Sequence, residues 1–161
     1  MIIKKLVEKA YKAVSDQNHL ESIPGFRAMT SAVLTAKIID IGLFETPQKL
    51  VGYFGVFPEE NSSGVDPDGT IRPRKMRNMS KKGNDLVRKY LWLASRSAIR
   101  YNPAAKALYR RKVGEGKPPS VALRHVMRKL LHLAFAILKS AKPFDHNYFK
   151  WEEVKPRSHK A

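Results

Sequence analysis

Pro118-Pro119-Ser120-Val121-Ala122-Leu123-Arg124-His125-Val126-Met127-Arg128-Lys129-Leu130-Leu131-His132-Leu133-Ala134-Phe135-Ala136-Ile137-Leu138-Lys139 is the stretch that decides the fold. Leu123, Val126, Met127, Leu130, Ala134, Ile137 and Leu138 recur at helical spacing and cover a wide face. The two prolines start the helix and the apolar face marks it as the core helix of a mainly α domain. An earlier helix precedes it. From about Gly83 to Tyr101, residues Val87, Tyr90, Leu91, Ala94 and Ala98 face inward, while Lys89, Arg96 and Arg100 share another face. Asn102-Pro103 caps the helix between these two, which ends before Gly114 and Gly116.

Towards the N-terminus the pattern continues. Thr46-Pro47 caps a short helix over 47–54. A helix begins just after Gly25, with Ala28, Ser31, Ala32 and Ala36 allowing close approach. Residues 2–14 read as an amphipathic helix whose stripe is Ile3, Leu6, Val7, Ala10 and Val14. A lone helix of this length is marginal in water, so the stripe must pack on this domain or on something outside the chain. Gly55 to Pro58 and Ser63 to Ile71 read as short extended pieces around an Asp66-Pro67-Asp68-Gly69 turn, a small β-hairpin insertion. The domain reading is therefore a linker helix over 1–20, one helical domain over 21–145 and a polar tail over 146–161.

The chain has 161 residues, enough for one domain, and 43% hydrophobic residues, enough for a packed core. There are 31 Lys+Arg against 14 Asp+Glu, a formal net charge of +17. Such a field attracts polyanions, of which nucleic acid is the usual one. A membrane is the rival, but Leu130 to Leu138, the longest uncharged apolar run, is interrupted by His132 and too short to cross a bilayer. The start Met1-Ile2-Ile3-Lys4 does not read as a signal peptide. With no cysteine, disulfides and thiolate metal sites are excluded, and a cytoplasmic location is expected.

The positive charge is local. Fourteen Lys/Arg lie between Arg72 and Lys112, with Asp85 the one acid among them. A solvated helix face interleaves both signs, so this segment calls for a bound anion or for dispersal of its charges. Arg72, Arg74, Lys75, Arg77, Lys81, Lys82 and Arg88 are spaced to follow a phosphate backbone. Ser63 beside Gly64 stands just ahead of them. Arginines near a serine hydroxyl stabilise the charge that develops when it attacks phosphorus, and glycine lets a substrate backbone come close. Serine before a turn is more often a hydrogen-bonding loop residue.

Ile23-Pro24-Gly25-Phe26-Arg27, between two helical stretches, resembles the hairpin of a helix-hairpin-helix element, where backbone N–H groups meet a DNA phosphate. Arg27 occupies the place of the usual second glycine; it adds a phosphate donor but restricts the backbone. An ordinary helix connection is the plain alternative. His125 and His132 are seven apart on the core helix, whereas zinc wants an i,i+4 pair and further ligands, so they read as basic or interfacial histidines. Asp66 and Asp68 read as turn chemistry, and no phosphate-binding loop, dinucleotide fingerprint or spaced acidic cluster is present. No metal site is expected within the chain.

Ser22-Ile-Pro-Gly25, Phe44-x5-Leu50-x2-Tyr53-x-Gly55-x2-Pro58, Ser63-Gly64, Met79-Ser80-Lys81-Lys82-Gly83-Asn84, Asn102-Pro103-Ala104, Lys117-Pro118 and Pro143-Phe144-Asp145 form an ordered series. In this order they resemble the C-terminal transposase domain of the insertion-sequence one-ten family, to which the Piv-like DNA invertases also belong. The resemblance covers about residues 20–145. It implies a DNA recombinase acting in transposition, with a serine nucleophile that falls by motif on Ser63, Ser62 and Ser80 being the fallback positions. It implies DNA and guide-RNA partners and an oligomer, or a partner carrying an N-terminal RuvC-like domain whose acidic residues hold a divalent metal. That domain is not seen ahead of Ile23, and the loop Val65 to Ile71 is more acidic than the family's glycine-lysine run. The chain is therefore not expected to complete strand transfer alone. It reads as a fragment, a decayed element or a stand-alone remnant, and the alternative function is a non-catalytic DNA- or RNA-binding module.

Overall fold

The computed structural model describes residues 2–14, 19–56 and 83–145. These form six α-helices: α1 (Ile2–Val14), α2 (Ala28–Ile38), α3 (Pro47–Tyr53), α4 (Asp85–Tyr101), α5 (Pro103–Gly114) and α6 (Pro119–Ser140). Two 3-10 turns, His19–Ser22 and Ile41–Leu43, complete the order. Among the described residues there is no strand. Of the expected hairpin over 55–58 and 63–71, Gly55 and Val56 are described and form no strand, and the rest lies outside the described residues.

The core helix is the one its apolar face indicates. α6 buries Leu123, Val126, Met127, Leu130, Ala134 and Ile137, together with Leu131 and Leu133, while Leu138 is half-buried against the cluster. It packs on α3, α4 and α5. α4 contributes Val87, Leu91, Ala94 and Ala98, and Leu20, Ile23, Leu34, Leu50 and Phe54 close the cluster from the N-terminal half.

The starts of α3, α4 and α5 are set by side-chain caps. Thr46 Oγ1 accepts from the Lys49 amide at 3.3 Å, with Pro47 at the first helical position. Asn84 Oδ1 accepts from the Val87 amide at 3.1 Å and sets the start of α4. Asn102 is buried and serves two helices. Its amide donates to the Ala98 carbonyl at 2.7 Å, closing α4, and its Oδ1 accepts from Ala104 at 3.0 Å and Ala105 at 3.3 Å, opening α5.

On α1, Leu6 is 59% exposed and Val7 38%, which fits the expectation of a cover outside the chain for its stripe, and Tyr11 is buried. One detail departs from the sequence-based expectation. α2 begins at Ala28, and what directly precedes the Ile23–Arg27 turn is a four-residue 3-10 turn rather than an α-helix. A helix-hairpin-helix needs two α-helices flanking its turn. Pro143–Asp145 returns to the start of the domain, where the Phe144 amide donates to Ser22 Oγ at 2.7 Å. Two pieces of the family-like series, 122 residues apart, thus touch.

Candidate nucleic-acid interface

Gly25 has φ +110°, a conformation only glycine adopts without strain. A Cβ there would stand 2.7 Å from Ala98 Cβ and 2.8 Å from the Ala98 amide nitrogen. The absence of a side chain lets the turn lie directly on α4. That contact carries Arg27 towards Arg96 and Arg100, and a cleft of about 430 Å³ opens between the turn, the start of α2, α4 and α1.

Arg27, Arg96 and Arg100 line this cleft with Tyr90 and Tyr101, and Glu8 of α1 is its one acid. Arg27 is the N-cap residue of α2, yet its side chain makes no cap hydrogen bond. Arg96 and Arg100, four apart on α4, are exposed. None of the three arginines forms an ion pair among the described residues. Arg100 also sits in the last turn of α4, where the helix dipole favours a cation. Tyr101 is 69% exposed and Leu93 47%, so apolar surface stands open between the cations.

Of the residues singled out in the sequence, Gly25 and Arg27 lie in this cleft. The glycine is explained by its packing on Ala98 before any phosphate is invoked. Arg88 faces the other way. Its side chain is 10% exposed, its Nη1 donates to the Phe54 carbonyl at 3.4 Å, and its Nη2 pairs with the Asp85 carboxylate. As placed, it braces α4 against the end of α3 instead of presenting a cation to solvent. Ser63, Ser62, Ser80, Arg72, Arg74, Lys75, Arg77, Lys81 and Lys82 lie outside the described residues. Their flanks do meet: Gly83, with φ +99°, approaches so closely that a Cβ would stand 2.5 Å from the Phe54 carbonyl carbon.

Arg96 and Arg100 were legible as one helix face, but nothing local tied that face to the Gly25 turn. Tyr101, a tyrosine directly ahead of the Asn102-Pro103 cap, was the overlooked signal. On α6, burial holds His125 below its usual pKa, aided by Lys112 and Lys117, with Glu115 opposing. Burial does the same for His132, aided by Arg128 and Lys129. Among the described residues no three His, Asp or Glu side chains converge on a possible metal. No helix among them is long and apolar enough to cross a membrane.

Residues 17–110 match the sequence family described as the Transposase IS116/IS110/IS902 family. The chain is 30% identical to the 43.6 kDa protein of insertion element IS110 from Streptomyces coelicolor, over 74% of this chain and 28% of that one. It is 28% identical to the pilin gene-inverting protein of Moraxella bovis, over 78% of this chain and 38% of that one. It is 25% identical to the 42 kDa protein of insertion element IS900 from Mycobacterium paratuberculosis, over 83% and 32%. The chain belongs to the IS116/IS110/IS902 transposase family. It spans about a third of the length of these relatives.

Proposed function

We propose that this chain is the DNA-binding, C-terminal part of a serine-dependent transposase or recombinase. The observation that carries the reading is the family match over residues 17–110, with a pilin gene-inverting protein among the relatives. The exposed arginines of the cleft, which form no ion pair among the described residues, and the net charge of +17 support a polyanionic partner.

In this reading Ser63 Oγ loses its proton and attacks a phosphodiester phosphorus. A Ser–O–P bond forms, the bond from phosphorus to one strand oxygen breaks, and that oxygen leaves and takes up a proton as a free hydroxyl. Arg72, Arg74, Lys75, Arg77, Lys81 and Lys82 hold the strand and offset charge on the non-bridging oxygens. Acidic residues that hold a divalent metal belong to a RuvC-like domain, on another part of the protein or on a partner in an oligomer. Guide RNA is a second nucleic-acid partner. Arg88, buried on Phe54, is left out of the phosphate-contacting set.

The second reading, a non-catalytic DNA- or RNA-binding module, draws on the same cleft and needs no reactive serine. Covalent capture separates the two, with the RuvC-like domain supplied in trans. A protein–DNA adduct formed by wild type and lost in Ser63→Ala supports the nucleophile. Absence of the adduct from both, with salt-dependent binding retained, selects the binding module. If about five cations each meet a phosphate, log affinity falls against log salt with a slope of about −4 to −5. A flat salt response, or no binding at low salt, removes both readings.

A further inference from the structure

We infer that the cleft between the Gly25 turn and α4 is a seat for an unpaired nucleotide, so that it takes single-stranded nucleic acid in preference to duplex. The inference rests on the nucleic-acid reading above and assigns its substrate form to particular side chains.

Two kinds of surface meet in one concavity. Arg27, Arg96 and Arg100 supply guanidinium donors that no described carboxylate occupies. Tyr101 presents an aromatic ring that is 69% exposed, and Tyr90 lies partly buried in the same lining. A duplex offers a protein a convex ridge of phosphates, with its bases stacked and their faces hidden. Arginines alone serve such a ridge, and exposed tyrosine faces would be idle. A single strand offers phosphate and an open base face together, and proteins that bind it pair a cationic track with aromatic platforms. The volume, about 430 Å³, is in the range that encloses one small group and not a helix or a groove wall. Glu8, on the α1 side, repels phosphate and so orients the strand with its backbone against the α4 arginines. DNA and RNA share this chemistry, since both present phosphate and a π-face.

The test measures binding of the full chain to labelled strands of about ten nucleotides, as DNA, as RNA and as the matched DNA duplex, across a salt series. Arg110, exposed on α5 outside the cleft lining, provides the control for loss of a charge. Tyr101→Ala is expected to weaken single-strand binding between about 5- and 150-fold, the range of one lost base stack. Tyr101→Phe should restore it, and duplex affinity should change no more than in Arg110→Ala. The double variant Arg96→Ala with Arg100→Ala should lower the single-strand salt slope by about 1.4, two contacts at about 0.7 each. Ultraviolet cross-linking should attach the strand at Tyr101. The DNA and RNA arms show which sugar the seat accepts. The inference is overturned if Tyr101→Ala leaves single-strand affinity intact, or weakens duplex and single strand equally, while wild type still binds. Loss of all nucleic-acid binding by wild type would instead overturn the broader functional reading along with it. Circular dichroism of each variant separates lost binding from lost fold.

Discussion

The two ends of α4 use arginine in opposite ways. At its start, Arg88 is buried and consumed by the protein: its guanidinium reaches the Phe54 carbonyl and the Asp85 carboxylate, beside the close approach of Gly83 to Phe54. At its end, Arg96 and Arg100 stand exposed, beside the close approach of Gly25 to Ala98. Both ends are fastened by a glycine whose missing side chain admits a neighbouring backbone. Among the described residues Arg88 has an ion pair, whereas Arg96 and Arg100 form none. Eight positions along a helix is about 80° of rotation, whereas four is about 40°, so Arg96 and Arg100 share a wall that Arg88 does not. A basic run in a sequence is thus a mixture of internal struts and external contacts, and burial separates them.

The glycine contacts give the hardest way to break this comparison. Gly25→Ala is expected to destabilise the fold by about 2–4 kcal/mol, combining a left-handed backbone penalty with overpacking against Ala98. It should also weaken nucleic-acid binding, because the turn that carries Arg27 must lift off α4. Gly83→Ala, whose Cβ would meet the Phe54 carbonyl carbon at 2.5 Å, should cost about as much. Urea titrations of the two variants check this, and a cost under about 1 kcal/mol for either would mean that its contact does not hold the end of α4 in place.

The arginines sharpen it. Arg88→Met keeps the aliphatic bulk but leaves the Phe54 carbonyl without its guanidinium donor, so stability should fall by about 1–3 kcal/mol with the salt slope of binding unchanged. Arg96→Met should do the reverse: stability within about 0.5 kcal/mol of wild type, and a salt slope smaller by about 0.7–0.9. Swapped outcomes would reverse the assignment of struts and contacts.

Asn102 tests whether the open end is held by its own cap. Its backbone amide closes α4 and its side chain starts α5, so a substitution removes the second contact and keeps the first. Asn102→Ala should cost about 1–2 kcal/mol of stability, and it should weaken single-strand binding further because Tyr101 and Arg100 sit immediately before it. Thermal melts and the binding series read the two effects separately.

Much of this was legible in the sequence because it is local. The face of α6, the inward residues of α4 and the caps at Thr46 and Asn102 depend on spacing and on one or two neighbouring amides. Arg88 was read as a backbone contact because its partner, the Phe54 carbonyl, is 34 residues away and nothing near Arg88 announces it. The cleft was half legible. Gly25 and Arg27 stood out as a turn with a donor, and Arg96 and Arg100 as a shared face, but joining them needs the Gly25–Ala98 approach, which is tertiary. The stripe of α1 stayed open between two outcomes for a related reason. An amphipathic pattern shows which face is apolar, not whether this domain has a surface to cover it; here Leu6 and Val7 stand exposed and Tyr11 is buried. The family-like series is also more structural than its motif form suggests: Phe44 packs edge-on to Tyr53 at 5.4 Å, Leu50 is fully buried, and Ser22 receives the Phe144 amide.

A third fate for a basic group, neither buried in an ion pair nor exposed, is found on α6, and it gives the smallest expected effect. His125 and His132 on α6 are half-buried, and burial together with neighbouring cations holds both below the ordinary histidine value. In the unfolded chain they return to about 6.5. Below that pH the unfolded state binds more protons than the folded one, so stability falls as pH drops through about 6.5 towards the depressed native values. Above about 6.5 both states hold neutral rings and the contribution is complete and constant. Replacing the rings with a neutral group of similar polarity, as His125→Gln with His132→Gln, should flatten the dependence of the urea midpoint on pH between about 5.5 and 7.5. If the double variant loses stability over this range as steeply as wild type, the histidines do not carry the dependence; Glu115, whose pKa is held down by its hydrogen bond to Lys112, loses its contribution only at lower pH. In that case the histidines would join Arg96 and Arg100 as groups whose charge the fold leaves free.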